Sequence, residues 1–97
     1  MNYRFLSPAL NELTNASDYY EEQDSGLGYE FIKEVEGAIE RILQFPFAWH
    51  ILKDPYRQCI LKRFPYSIVY QVTDPDHIII ISVFHLHRQP DSWIKNK

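Results

Sequence analysis

Lys62-Arg63-Phe64-Pro65-Tyr66-Ser67-Ile68-Val69-Tyr70-Gln71-Val72 is followed, after a short polar break, by Ile78-Ile79-Ile80-Ile81-Ser82-Val83-Phe84-His85-Leu86-His87-Arg88. Both runs are rich in β-branched and aromatic residues, which suit a pleated and largely buried surface. Asp74-Pro75-Asp76 between them carries turn chemistry. The pair therefore reads as an antiparallel hairpin with strands at about 67–73 and 77–85. Four consecutive isoleucines require cover on both faces, or a central place in the sheet. A further strand at about 57–64 precedes them. Phe64-Pro65-Tyr66 is the tight link that would make the three a meander. Each apolar run has basic or aromatic residues at an end.

Working outward, the residues before this sheet read mostly as helix. Tyr3-Arg4-Phe5-Leu6 alternates and predicts a short first strand. Ser7 then offers an N-cap and Pro8 a first helical residue, where its missing N–H costs nothing. Ala9, Leu13, Ala16 and Tyr20 form one apolar stripe. Asp24-Ser25-Gly26 ends that helix, and Ser25 is a candidate cap for the next. In the second helix Leu27, Phe31, Val35, Ala38, Ile42 and Phe45 share a face, with Ile39 at its edge. Glu30, Lys33, Glu34, Glu36, Glu40 and Arg41 fall mostly opposite. Pro46 ends the run, and residues 47–56, with Trp49, His50 and Pro55, read as loop. The expectation is an α+β domain over 1–97 of order β-α-α-β-β-β, a helical hairpin packed on a small antiparallel sheet. The tail after Gln89, with Pro90 and Trp93, predicts a short terminal turn.

Composition narrows the classes of function. With 97 residues, 45% of them apolar, the chain can bury one core. A single cysteine, Cys59, excludes an internal disulfide and a Cys-based zinc site. Cys59 sits mid-strand with no general base patterned around it, so it reads as packing. His85 and His87 would share a face of a continuing strand, but no third ligand stands at metal-binding spacing. No metal and no cofactor are expected. No run reaches the roughly 18–20 apolar residues of a membrane span, and no signal-peptide core follows Met1. The reading is a cytoplasmic protein with no membrane partner. Net charge is −3, unevenly spread: residues 1–49 hold Arg4, Lys33 and Arg41 against nine acids, a net of −6. Residues 50–97 hold seven Lys and Arg against four Asp, a net of +3. Such asymmetry suits an anionic partner, or simply an acidic helix face beside a sheet.

An ordered set of segments carries a resemblance. Ala16-Ser17-Asp18-Tyr19-Tyr20-Glu21-Glu22-Gln23, Gly26-Leu27-Gly28, Phe31 and Glu34-Val35-Glu36 are followed by Arg63-Phe64-Pro65-Tyr66-Ser67-Ile68-Val69-Tyr70 and by Val83-Phe84-His85-Leu86-His87-Arg88-Gln89-Pro90 with Trp93. Together they resemble the RelE/ParE family of toxins from type II toxin–antitoxin pairs, known also as plasmid stabilisation proteins. The His85-x-x-Arg88 ending is closer to the ParE-like branch. The resemblance implies a strand, a helical hairpin and a small antiparallel sheet. It also implies a growth-inhibiting toxin neutralised by an antitoxin encoded beside it. RelE-like members cut mRNA on the ribosome, and ParE-like members inhibit DNA gyrase. A homodimer or a heterotetramer with antitoxin is the expected assembly.

RNA cleavage without metal needs a group to activate the 2′-OH, a cation at the scissile phosphate and an acid for the leaving oxygen. On the resemblance, Lys62 and Arg63 match the basic end of the first meander strand, and Tyr66 the aromatic residue opening the next. Ser67 stands where the ribonuclease branch tends to place Arg. His85 or Arg88 would stand in for the basic residue after the last strand. Trp93 lies where a tail Tyr would be sought, and an indole cannot transfer that proton. Lys62, Arg63, His85 and Arg88 are thus the catalytic candidates if the chain is an enzyme. Arg57, Arg63, Tyr66, His85, His87, Arg88 and Trp93 are the candidate partner-binding residues. An antitoxin is expected to cover Arg57, Arg63 and Arg88, because a small sheet has edges that invite strand addition. Tyr19 and Tyr20 read as packing between helix and sheet, and Trp93 as a lid on the sheet. The favoured function is growth inhibition by binding gyrase. The alternatives are a ribosome-dependent mRNA endonuclease and a non-toxic member that binds only antitoxin.

Overall fold

The structure, a computed structural model, describes residues 2–74, 76–88 and 91–97. Pro75 of the expected turn, and Gln89 and Pro90 of the expected tail, lie outside the described residues, as does Met1. In chain order the elements are β1 (Asn2–Phe5), α1 (Ser7–Gln23), α2 (Leu27–Gln44), β2 (His50–Lys53), β3 (Tyr56–Ile60), β4 (Tyr66–Asp74), β5 (His77–His85) and a terminal 3-10 turn, Ser92–Asn96. The strands form one sheet in the order β1-β5-β4-β3-β2. The α+β class and the helical hairpin are as expected.

The sheet itself departs from expectation in three places. β1 pairs with β5 in parallel, from Asn2 opposite His77 to Phe5 opposite Ile80, so the sheet is mixed. Residues 50–53, expected as loop, form a fifth strand against β3, with a register shift between Ile51 and Lys53. A four-residue strand with a bulge shows no clean alternation, which is why it carries no period. β3 stops at Ile60 rather than 64, because the Leu61 N–H reaches the Tyr66 carbonyl at 2.9 Å and closes the connection early. Lys62 and Arg63 therefore sit on a loop, not on a strand.

β4 and β5 are the buried centre. Tyr66, Ile68 and Tyr70 face the helices, with Ile78, Ile80 and Val83 of β5 beside them. Val69, Ile79, Ile81 and Phe84 belong to a second cluster on the far face, under Trp93. The isoleucine run is thus covered on both sides. Opposite Val69 and Tyr70 the register skips Ile81, since Val69 pairs with Ser82 and Tyr70 with Ile80. The skip resets the alternation and brings Val83 to the helix face.

The helices pack by their apolar stripes. Phe31, Val35, Ala38, Ile39 and Ile42 are buried from α2, and Ala9 and Ala16 from α1. Phe45 is not part of that face: the helix ends at Gln44 and Phe45 turns outward, 63% exposed. Ser7 is already helical, and extended Leu6 takes the cap position. Between the helices Gly26 adopts a left-handed φ of 90°. The Glu21 side chain, rather than Ser25, caps α2. Its Oε2 accepts the Gly26 N–H at 2.9 Å and its Oε1 the Gly28 N–H at 3.1 Å. An anion at a helix N-terminus also complements the helix dipole. A Cβ on Gly28 would stand 2.6 Å from the Ser17 carbonyl oxygen, so the absent side chain lets the two helices meet.

One side chain completes the sheet. β1 runs beside β5 only as far as Ile80, where the Leu6 N–H still reaches the Ile80 carbonyl at 3.0 Å. Beyond that point Glu12 of α1 takes over. Its Oε1 accepts the Val83 N–H at 2.9 Å, the Ser82 hydroxyl at 2.8 Å and the Asn96 amide at 3.1 Å. Asn96 also donates to the Ile81 carbonyl at 3.2 Å.

Candidate functional site

α1 lies across the end of β5 where Glu12 docks, and leaves beside it a cleft of about 240 Å³. Glu12, Asn15 and Tyr19 line its helical wall; Tyr66, Val83, His85 and Arg88 line the sheet side. The end of the hairpin supplies three of these. Tyr66 opens β4 and pairs in register with His85, the last residue of β5. The chain then turns back: the Leu86 N–H reaches the Pro65 carbonyl at 2.8 Å and the Arg88 N–H the His85 carbonyl at 3.2 Å. That turn carries Arg88 to the cleft mouth.

The aromatic rings are fixed by one another. Tyr66 lies 5.0 Å from His85 edge-on, and 5.1 Å from Phe31, which meets Phe64 at 5.1 Å. Tyr20 closes the group at 4.8 Å from Phe64. Burial pushes the Tyr66 hydroxyl to a higher pKa, against the pull of the Arg88 charge, so it is a neutral donor at physiological pH. The His85 Nδ1 accepts the His87 N–H at 3.0 Å, which leaves the imidazole proton on Nε2. Burial lowers the His85 pKa, and the neighbouring His87 and Arg88 lower it further. The cleft thus offers one guanidinium, a neutral imidazole, two phenols and a carboxylate occupied by backbone. It can hold an anionic or polar group against aromatic walls.

Of the expected site residues, Tyr66, His85 and Arg88 come together here, with exposed His87 5.1 Å from His85 between ring centres. The others do not join them. Arg63 forms an ion pair with Glu30 of α2, and its N–H donates to Glu34 Oε2 at 2.9 Å. Lys62 is exposed on the same connection and is not among the cleft-lining residues. Arg57 donates to the Phe47 and Trp49 carbonyls at 3.0 and 2.8 Å, fastening the chain between α2 and β2. Trp93 is 3% exposed on the far face of the sheet, 5.3 Å from Tyr56. Ser67 also points to that face, where its hydroxyl donates to Gln58 Oε1 at 2.8 Å.

Three cleft residues escaped the sequence reading. Tyr20 does pack in the core, but Tyr19, expected beside it, is 56% exposed at the cleft. Glu12, Asn15 and Tyr19 recur at helical spacing, one residue short of the stripe formed by Leu13, Ala16 and Tyr20. That second, polar stripe was the available signal.

The described residues thus form an α+β domain, a two-helix hairpin over a mixed five-stranded sheet, with an aromatic cleft at the open end of the β4–β5 hairpin. The family model described as ParE toxin of type II toxin-antitoxin system, parDE, matches residues 3–90, and the chain belongs to that family. Among solved structures, the chromosomal ParDE TA system from P. aeruginosa matches with a TM-score of 0.65 and 17% identity. The match covers 90% of this chain and 97% of that one, and at this identity it supports the fold alone. No curated protein matches the chain. Among the described residues, no helix is long and apolar enough to cross a membrane.

Proposed function

We propose that this ParE-family toxin arrests growth by binding an essential target, with DNA gyrase favoured, and that the cleft between α1 and the end of β5 is the contact. The observation that supports binding over RNA cleavage is the count of cations. Among the described cleft-lining residues, Arg88 is the one Lys or Arg. Arg63 is turned to Glu30, and Ser67 faces the opposite side of the sheet. Metal-free RNA cleavage spreads charge over a phosphate and is stabilised by several cations placed around it. A single guanidinium framed by Tyr19, Tyr66 and His85 suits recognition of one anionic side chain of a protein. Such a target places the action in the cytoplasm, where the cognate antitoxin would hold the toxin in check.

The test adds purified protein, side by side, to a gyrase supercoiling assay and a translation extract. Wild type is expected to block supercoiling and leave mRNA whole. Arg88→Ala is expected to lose the block while folding normally, since an exposed charge contributes under about 1 kcal/mol to stability. Ribosome-dependent cuts in mRNA would instead make the chain a nuclease acting through His85 and Arg88. An unfolded Arg88→Ala would make that residue structural.

A further inference from the structure

α1 meets the sheet through little that fixes its position. Its buried side chains are Ala9 and Ala16, two methyl groups, with Leu13 and Tyr20 partly buried beside them. Apolar contact is non-directional, so a helix can slide or rotate on such a bed. Hydrogen bonds are directional and resist this. Among the described residues, the hydrogen bonds of Ser17 and Glu21 go to Gly26 and Gly28. Those of α1 that reach the sheet come from Glu12, to Ser82 and Val83. Ser82 and Val83 are 0% and 1% exposed, so neither donor meets water if the carboxylate withdraws.

These bonds sit at the inner end of the cleft. From Glu12 the helical wall runs seven residues to Tyr19, roughly 10 Å by helix rise. From Val83 the sheet side runs two residues to His85, roughly 7 Å by strand rise. The two run the same way, since Tyr19 shares the cleft with Tyr66, which pairs with His85. A rotation of α1 about Glu12 therefore moves Tyr19 most. Charge adds a second observation. Glu12 and Arg88 line the same cleft, and a carboxylate repels the anionic group that Arg88 would hold. Its Oε1, however, is already taken up by Val83, Ser82 and Asn96.

We infer that Glu12 is a positioning residue for the cleft. Its reach, not its charge, fixes the spacing between the α1 wall and the end of β5, and with it the fit of Tyr19 and Arg88 around a partner's anionic group. The inference rests on the reading of this cleft as the target contact. It also explains why a carboxylate stands in a site for an anion: the acceptor is needed there and the charge is not.

The test uses two variants of the full chain that separate reach from charge. Glu12→Asp keeps the charge and is one methylene shorter. Glu12→Gln keeps the length and the acceptor oxygen and loses the charge. Both are read first by NMR of the free toxin and then by block of gyrase supercoiling. In Glu12→Asp the Val83 amide is expected to exchange with solvent about 100-fold faster, while the Ile68 amide in the middle of the sheet stays protected. The Tyr19, His85 and Arg88 resonances should move, and the block should weaken about tenfold. Glu12→Gln is expected to keep the wild-type exchange and resonances and to block more strongly, because a like charge has left the site. Wild-type resonances in Glu12→Asp would overturn the inference. So would a block kept by Glu12→Asp and lost by Glu12→Gln, which would make the charge itself a contact. Faster exchange at Ile68 as well as Val83 would make Glu12 a general prop of the fold and overturn it too. If wild type blocks no supercoiling, the proposed target fails, and the exchange and resonances of the two variants still decide for or against Glu12.

Discussion

His85 holds its place in the cleft as a neutral ring. Its Nδ1 is engaged by the His87 N–H, and burial with two basic neighbours keeps its pKa below the ordinary value. The sign of the pH dependence follows. In the unfolded chain the imidazole titrates near 6.5, so on acidification it gains its proton before the folded one does. The unfolded state then binds more protons, and stability falls as pH drops from about 6.5 toward the folded pKa. Urea midpoints measured between pH 7.5 and 5 should fall more steeply for wild type than for His85→Gln. Equal slopes would mean that His85 is not held neutral. The same neutral ring leaves Arg88 as the one cation among the described cleft-lining residues, across from the Glu12 carboxylate.

At the scale of elements, the hairpin of helices depends on one missing methyl group and one borrowed cap. Gly28→Ala would drive a Cβ to 2.6 Å from the Ser17 carbonyl, and the helices must part. The parting also loosens Glu21 from the Gly28 N–H. We expect a loss of about 1–3 kcal/mol, read from chemical unfolding. A wild-type midpoint for Gly28→Ala would show that the helices do not meet as closely as the structure has them.

How far the sequence alone discloses these elements varies with the range of the force behind each. The α2 face from Phe31 to Ile42 was legible, because a period of 3.6 residues is a local property. Phe45 continued that period but fell past the end of the helix. The Glu21 cap was not legible: its donors lie in the turn, at Gly26, and in the next helix, at Gly28, and only the turn brings them within reach. β2 was hidden by its length and its bulge. In the cleft, Tyr66, His85 and Arg88 could be read as the charged and aromatic ends of apolar runs. Arg63 could not be read out of it, since its pairing with Glu30 spans 33 residues and exists only in the folded chain.

Across the whole molecule, the charge asymmetry of the sequence is partly an internal matter. Acids of α2 reach the sheet connection at Arg63, so some of the basic half is already answered within the chain. The two faces of the sheet are unequal. Helices cover one, while the far cluster of Val69, Ile81 and Phe84 rests on Trp93 and the five residues of the terminal turn. Trp93→Ala should therefore cost about 3–5 kcal/mol, a large share of the roughly 5–15 kcal/mol holding a small domain. A shift in urea midpoint together with binding of an apolar dye would record it. A silent Trp93→Ala would mean that the far face needs no cover.

Glu12 has a consequence for the toxin once it is free of its antitoxin. Where a strand runs out of neighbours, its open amides are a template on which another chain can crystallise, layer upon layer. At Val83 that template is closed by a carboxylate. A carboxylate only accepts hydrogen bonds and has no N–H to offer onward, so whatever meets it finds nothing to copy. The sheet is finished on this side by an acceptor with no successor, and a liberated toxin molecule has one fewer place at which to begin a fibre.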